Sequence, residues 1–293
     1  MNEITINWLL EDKNPAVKYR TQTELLGQAA DNTDAKEWIL QKVPEDWHVT
    51  KGLWLVYYFT ALAECGVKCS DLEPVHLRKA FDGLDSGFET GCADFMLLRA
   101  LVKLGCGEME PVRKAIEKAE EHLLPDNGFI CLHRLAKYSY IPKSCYKADL
   151  HALMLAAECK KNAIACPFTD KLLEYFWNHN IYYRTDDKST LVLNARPGWR
   201  TIDTFFPFEV MRVGIQNVVE ALAALGYGED DQLNASWDIL DNHKDENGKV
   251  LLDTTLTKPY LPKERIGKPS KWVTFYTLLA EKERDLYKRQ ADI

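Results

Sequence analysis

The chain has 293 residues, 46% hydrophobic and 11% aromatic, which is ample apolar material for a sizeable core. Its net charge of −7 is spread along the sequence without a basic block, which speaks against nucleic-acid binding. No run approaches the ~20 apolar residues that cross a bilayer, and the opening "MNEITINWLLEDKN" has no charged region followed by an apolar one, so it does not read as an export signal. Eight cysteines in such a chain read as reduced thiols, and the expected location is cytoplasmic.

An apolar helix pattern ending near Ala-Leu and closed by Gly or an acidic residue recurs along the sequence. The clearest copies are "YYFTALAECG" (Tyr57–Gly66), "FMLLRALVKLG" (Phe95–Gly105) and "NVVEALAALG" (Asn217–Gly226). Weaker copies are "KYRTQTELLG" (Lys18–Gly27), "KADLHALMLAAE" (Lys147–Glu158) and "KWVTFYTLLAEK" (Lys271–Lys282). A repeated helix pair cannot bury its apolar face alone, so the units must stack on one another. One continuous domain over residues 1–293 is therefore expected.

The first repeat helix should start at Asn14-Pro15, an N-cap followed by proline, and end at Gly27. A second helix follows over about 34–42, then a loop, 44–52, holding Trp47 and His48. The next pairs are 53–65 with 73–84, closed by "DSGF", and 93–104 with 110–124, closed by "PDNGF". After a connection at 130–143 come helices at 145–158 and 169–178. An irregular aromatic stretch, 180–207, precedes helices at 209–225 and 230–243, closed by "DENGKV". The last helix should cover 271–287. No stretch reads as a strand, so the class is all-α.

Aligning the copies on their shared leucine (Leu25, Leu62, Leu101, Leu153, Leu222, Leu278) places a polar stripe two residues earlier: Thr23, Thr60, Arg99, His151, Glu220 and Tyr276. One turn before it lie Tyr19, Phe95, Lys147, Gln216 and Trp272. A helix apolar around most of its surface is buried, so this stripe must face an internal cavity or a polar network. A buried charge there must be paired.

The repeats and their Asp/Gly turns resemble the terpenoid-cyclase and protein-prenyltransferase superfamily. That resemblance spans nearly the whole chain. It implies an α/α toroid of five to six helical hairpins, with inner helices around a cavity, and a small, largely apolar ligand, an isoprenoid among the candidates. The family's reaction signatures do not carry over. The DxDD acid motif is absent; "GEDD" (Gly228–Asp231) opens an outer helix, where acids serve as caps. "TDDKS" (Thr185–Ser189) lacks the spaced third acid of DDxxD. "CAD" (Cys92, Asp94) reverses the Asp-x-Cys order of the zinc-binding transferases.

Candidate acids and bases are Asp203, Asp149 and Glu209, near inner-helix starts, and His151 and Glu220 on the stripe. In an apolar pocket a carboxyl group holds its proton and can act as a general acid. Trp54, Tyr57, Tyr58, Trp199, Phe205 and Trp272 offer ligand-facing rings, and Arg200 and Arg212 offer anion contacts. No cofactor is called for; zinc on Cys131, His133, Cys145 and His151 is the alternative. Three readings follow: a ligand-binding toroid with acid–base chemistry, a non-catalytic toroid with a protein partner, and a carbohydrate-active α/α barrel.

Overall fold

A computed structural model describes residues 2–137, 139–140, 143–181, 208–210, 213–252 and 260–291, with the side chains of 133, 134 and 289–291 excepted. Helices make up the secondary structure, and among the described residues β-structure is limited to two isolated bridges, Lys244 with Val250 and Leu251 with Pro269. The all-α expectation holds. No helix among the described residues is long and apolar enough to cross a membrane. The chain divides into two compact units, Met1–Glu45 with Glu64–Val67 and Pro197–Ile293, and Asp46–Ala63 with Lys68–Arg196.

The first unit begins with α1 (Glu3–Leu9), capped by the Asn2 side chain on Ile4 N–H at 2.9 Å. Helix α2 (Pro15–Arg20) starts where Asn14 and Pro15 predict, with Asn14 Oδ1 accepting from Val17 N–H at 3.2 Å. It continues as a wider π-type turn over Thr21–Leu25 and stops at Gly27, whose φ is +67°. The other helices of this unit are α3 (Thr33–Leu40), α11 (Ile215–Ala224), α12 (Asn234–Asn242) and α13 (Lys271–Ala291). Helix α13 packs along α11 and also against α2 and the turn that follows it. The Lys282 ammonium closes that second contact, donating to the carbonyls of Glu24 at 2.6 Å and Leu25 at 3.2 Å. At the start of α13, Glu264 accepts from Ser270 Oγ at 2.5 Å and Lys271 N–H at 3.0 Å, an acid at a helix N-terminus where the dipole favours it.

The second unit holds α4 (Leu53–Glu64, whose last residue belongs to the first unit), α5 (Pro74–Gly87), α6 (Cys92–Leu101), α7 (Glu110–Ala119), α8 (Leu132–Leu135), α9 (Tyr146–Lys161) and α10 (Thr169–Asn178). Helices α6 and α9 pack along each other, α5 lies against α7, and α9 against α10. From Ala148 to Cys159 every residue of α9 is buried, as its all-round apolar pattern requires. Each leucine so buried contributes about 1.5–3 kcal/mol. Phe95, Phe129 and Phe168 join at their feet, with ring centroids 4.8 Å (Phe95–Phe129) and 5.3 Å (Phe129–Phe168) apart.

The repeat-closing glycines carry the positive φ that ends an α-helix without a Cβ penalty: +67° at Gly27, +80° at Gly66, +89° at Gly105 and +97° at Gly226. The Lys147 copy has no such glycine, and there Ala163 takes φ +55°. Gly66 has a second reason: a Cβ would lie 2.8 Å from Tyr19 Cε1.

Three boundaries differ from expectation. The "DSGF" turn is the last turn of α5; the chain reverses beyond it, where Thr90 adopts φ +53° and its hydroxyl bonds Ile130 C=O at 3.2 Å. Helix α11 begins at Ile215 because Gly214 is extended (φ −148°) and donates its N–H to Asn217 Oδ1 at 2.9 Å. Helix α1 is too short for its periodicity to register in the sequence.

Candidate functional site

Most of the polar stripe is buried, with Thr23, Tyr19 and Lys147 half-buried. Thr60, Arg99, His151, Gln216, Glu220 and Tyr276 all lie in the interior among apolar helix faces. Arg99 and His151 belong to the second unit, Glu220 and Tyr276 to the first.

In the first unit the stripe is built on α11 and α13. Gln216 and Glu220 stand one turn apart on α11, Trp272 and Tyr276 one turn apart on α13. Gln216 is 0% exposed; its Oε1 accepts from Thr277 Oγ1 at 3.1 Å, while its Nε2 has no acceptor among the described residues. Trp272 is 3% exposed and meets Phe208 edge to face at 4.9 Å; its indole Nε1 likewise has no acceptor. Two buried donors without acceptors are costly in a folded core, roughly 1–3 kcal/mol each.

Beside them lies a network that the sequence does not announce. Arg20, 2% exposed, donates to Glu24 Oε1 at 2.5 Å and Oε2 at 2.9 Å, to Tyr276 Oη at 2.6 Å, and to Glu64. The Tyr276 hydroxyl in turn donates to Glu64. The Arg20 guanidinium also sits 4.6 Å from the Phe275 ring centroid and 4.8 Å from that of Tyr276. Burial works against this cation, but Glu24, Tyr276 and Glu64 together hold Arg20 well above its ordinary range. The sequence signal available was Arg20-x-x-x-Glu24, a helical i, i+4 pair; Glu64 and Tyr276 join only through tertiary packing.

In the second unit, Arg99 Nε and Lys103 Nζ each lie 3.8 Å from Glu158 Oε2, so α6 and the turn that follows it answer the buried acid of α9. His151 is buried on α9. Asp149 is buried on the same helix and serves a turn. Its Oδ1 accepts from Phe129 N–H at 2.5 Å, while Asp126 Oδ2 accepts from Ser144 N–H at 3.2 Å, which together fix "PDNGF". Burial pushes the Asp149 carboxyl well above the ordinary carboxylate range, against the pull of the Phe129 N–H. The same construction recurs in the first unit, where Val250 N–H donates to Thr274 Oγ1 at 2.9 Å, Thr274 standing in α13 where Asp149 stands in α9. The turn-holding role therefore goes with the position in the repeat rather than with the carboxylate.

Glu209 is half-buried, and its Oε1 accepts from Val210 N–H at 3.0 Å. Trp54 is 44% exposed at the start of α4, perpendicular to Tyr57 and tilted over Tyr58, both at 5.9 Å between centroids; the two tyrosines are buried. Of the zinc alternative, the Cys131 thiol donates to Glu89 Oε2 at 3.4 Å, and Cys145 is half-buried at the N-cap of α9. Among the described residues no group of three or more His, Cys, Asp and Glu side chains is placed to hold a metal, and the His133 side chain lies outside them. Asp203, Trp199, Arg200, Phe205 and Arg212 also lie outside the described residues.

No family model, curated protein or solved structure matches this chain.

Proposed function

We propose that the chain is an α/α-toroid protein that binds a small, largely apolar molecule of isoprenoid type, one end of which carries an oxygen acceptor. The observation that carries this reading is the pair of buried donors on adjoining helices, Gln216 Nε2 and Trp272 Nε1, for which the described residues supply no acceptor. A hydroxyl, carbonyl or phosphate oxygen satisfies them, and the buried Phe208, its ring 4.9 Å from that of Trp272, suits a hydrocarbon body. Closure of the repeats into a ring is part of the proposal. It is supported by the packing of the last helix, α13, on α2, the first helix of the repeat array. Glu220, one turn beyond Gln216, is the group this reading assigns to acid–base chemistry on the ligand.

Two competing readings each have an observation behind them. A non-catalytic module with a protein partner is favoured by the commitment of Asp149 to a turn and of Glu64 to Arg20. A carbohydrate-active barrel is favoured by the exposed Trp54 beside Tyr57 and Tyr58, an aromatic platform of the kind that sugars stack on. A thermal-shift screen separates the three. Prenyl alcohols and prenyl diphosphates should raise Tm, by about 2–4 °C per kcal/mol of binding for a chain of this size. A shift with oligosaccharides alone selects the carbohydrate reading, and no shift with any class selects the non-catalytic one.

A further inference from the structure

Two sulfurs of the second unit meet near its surface. Cys69 stands in a short 3₁₀ turn, Cys69–Asp71, and Met109 at the N-cap of α7. The Cys69 thiol donates to the Met109 thioether, with Sγ and Sδ 3.9 Å apart. Backbone bonds hold both positions. Asp71 N–H donates to Lys68 C=O at 2.9 Å and Leu72 N–H to Cys69 C=O at 3.1 Å, which closes the turn around the cysteine. Met109 N–H donates to Cys106 C=O at 3.0 Å, and the Met109 carbonyl accepts from Val112 and Arg113 N–H, each at 3.0 Å. The Cys69 turn packs against the π-type turn Val102–Cys106 that leads to Met109, and Lys68 Nζ donates to Lys103 C=O at 3.4 Å across that contact. Neither burial nor capping accounts for a methionine here. Met96 and Met154 are core residues, each 2% exposed, whereas Met109 is 38% exposed. A helix N-cap favours Ser, Thr, Asp or Asn, whose oxygen bonds the first free N–H groups, and the Met109 side chain makes no such bond. A thioether is also a weak acceptor, so its contact with the thiol adds little to the fold.

We propose that Cys69 and Met109 form a binding site for a soft monovalent metal ion of the copper(I) class. Thiolate and thioether together select such an ion, whereas magnesium, calcium and manganese take oxygen ligands. The spacing fits one ion between the two sulfurs: bonds of about 2.3 Å, the metal–thiolate length of zinc sites, span the observed separation when they meet at about 115°. That angle is near trigonal and leaves a third position for water or a small donor. On binding, the ion takes the place of the thiol proton that now points at the thioether. The S–H bond breaks and the proton leaves to solvent, a metal–thiolate bond forms, and a lone pair of the Met109 sulfur completes the pair. No oxidation state changes. The site lies in the second unit and does not rest on the ligand reading of Gln216 and Trp272, which belong to the first.

The test uses the full chain, reduced and under nitrogen, with isotope-labelled methionine methyl groups and copper(I) buffered by bicinchoninate. As copper(I) is added, the Met109 methyl resonance, identified by its absence from Met109→Leu, should move while those of Met96 and Met154 stay. Copper(I) should also protect the Cys69 thiol from alkylation, read by mass spectrometry on its own peptide so that the other thiols do not interfere. In Met109→Leu, half-protection should need at least about tenfold more free copper(I), since losing a ligand costs no less than losing a group that merely supports one. In Cys69→Ser the Met109 methyl should no longer respond. Leucine conserves the volume of methionine and neither position is buried, so both variants keep the fold. A Met109 methyl that stays in place until the chain is saturated, equal protection of Cys69 in the native chain and Met109→Leu, or a Met109 response retained in Cys69→Ser would overturn the proposal.

Discussion

Asp149 illustrates how a residue that looks chemically poised can be committed to architecture. Its carboxyl accepts from the Phe129 backbone, and the neighbouring Gly128 has no room for a side chain: a Cβ there would lie 2.4 Å from Ser144 Cβ and 2.9 Å from Asp149 Oδ1. Gly128→Ala should therefore destabilise the fold by about 1–3 kcal/mol, read as a lowered urea midpoint with unchanged slope. The raised carboxyl also predicts a pH dependence. An acid whose folded pKa exceeds its unfolded value of ~3.9 binds its proton more tightly when folded, so its contribution is full below that value and is lost as pH rises through the folded pKa. The stability of the native chain relative to Asp149→Asn should accordingly fall as the pH rises above about 4; thermal melts of both that keep a constant difference as the pH is raised would refute it. That Asp149 sits near the start of a repeat helix was legible in the sequence. Its bond to a turn twenty residues away in the chain was not, because nothing local marks which backbone N–H a side chain will meet.

Among the helices, the buried guanidinium of α2 ties α13 to the end of α4. Removing the Tyr276 hydroxyl leaves Glu64 and Arg20 each short of one bond, so Tyr276→Phe should cost about 1–3 kcal/mol. Arg20→Met leaves the Glu64 charge buried without its cation and should cost about 3–5 kcal/mol. Equal, small losses for both in urea melts would mean the network contributes little. Helix positions were largely readable because the repeat helices share one apolar period, and four of them end on a glycine with the positive φ that other residues adopt only at a cost. Thr169–Asn178 fell where its pattern placed it. The errors came where local chemistry competes: Gly214 holds the chain extended ahead of α11, and the polar residues at the end of α5 prolong a helix that looked finished at Leu84.

Across the chain, the two units share one construction. Repeat helices bury most of a polar stripe, and Asp/Gly turns are held by a side chain from the next repeat helix, Asp149 in one unit and Thr274 in the other. The stripe itself was legible, since a polar residue recurring two places before a repeat leucine has nowhere to go but inward. What the stripe bonds to was not legible. In the second unit Arg99 and Lys103 lie against Glu158, and in the first Tyr276 is absorbed by Arg20 and Glu64. Among the described residues of the first unit's stripe, Gln216 Nε2 and Trp272 Nε1 have no acceptor, and the functional reading depends on them. Isothermal titration of farnesol into the native chain and into Trp272→Phe tests it most directly. The account predicts saturable one-to-one binding that weakens about tenfold in the variant, the value of one buried hydrogen bond. Identical affinities in the two proteins, or no heat above that of dilution, would contradict it.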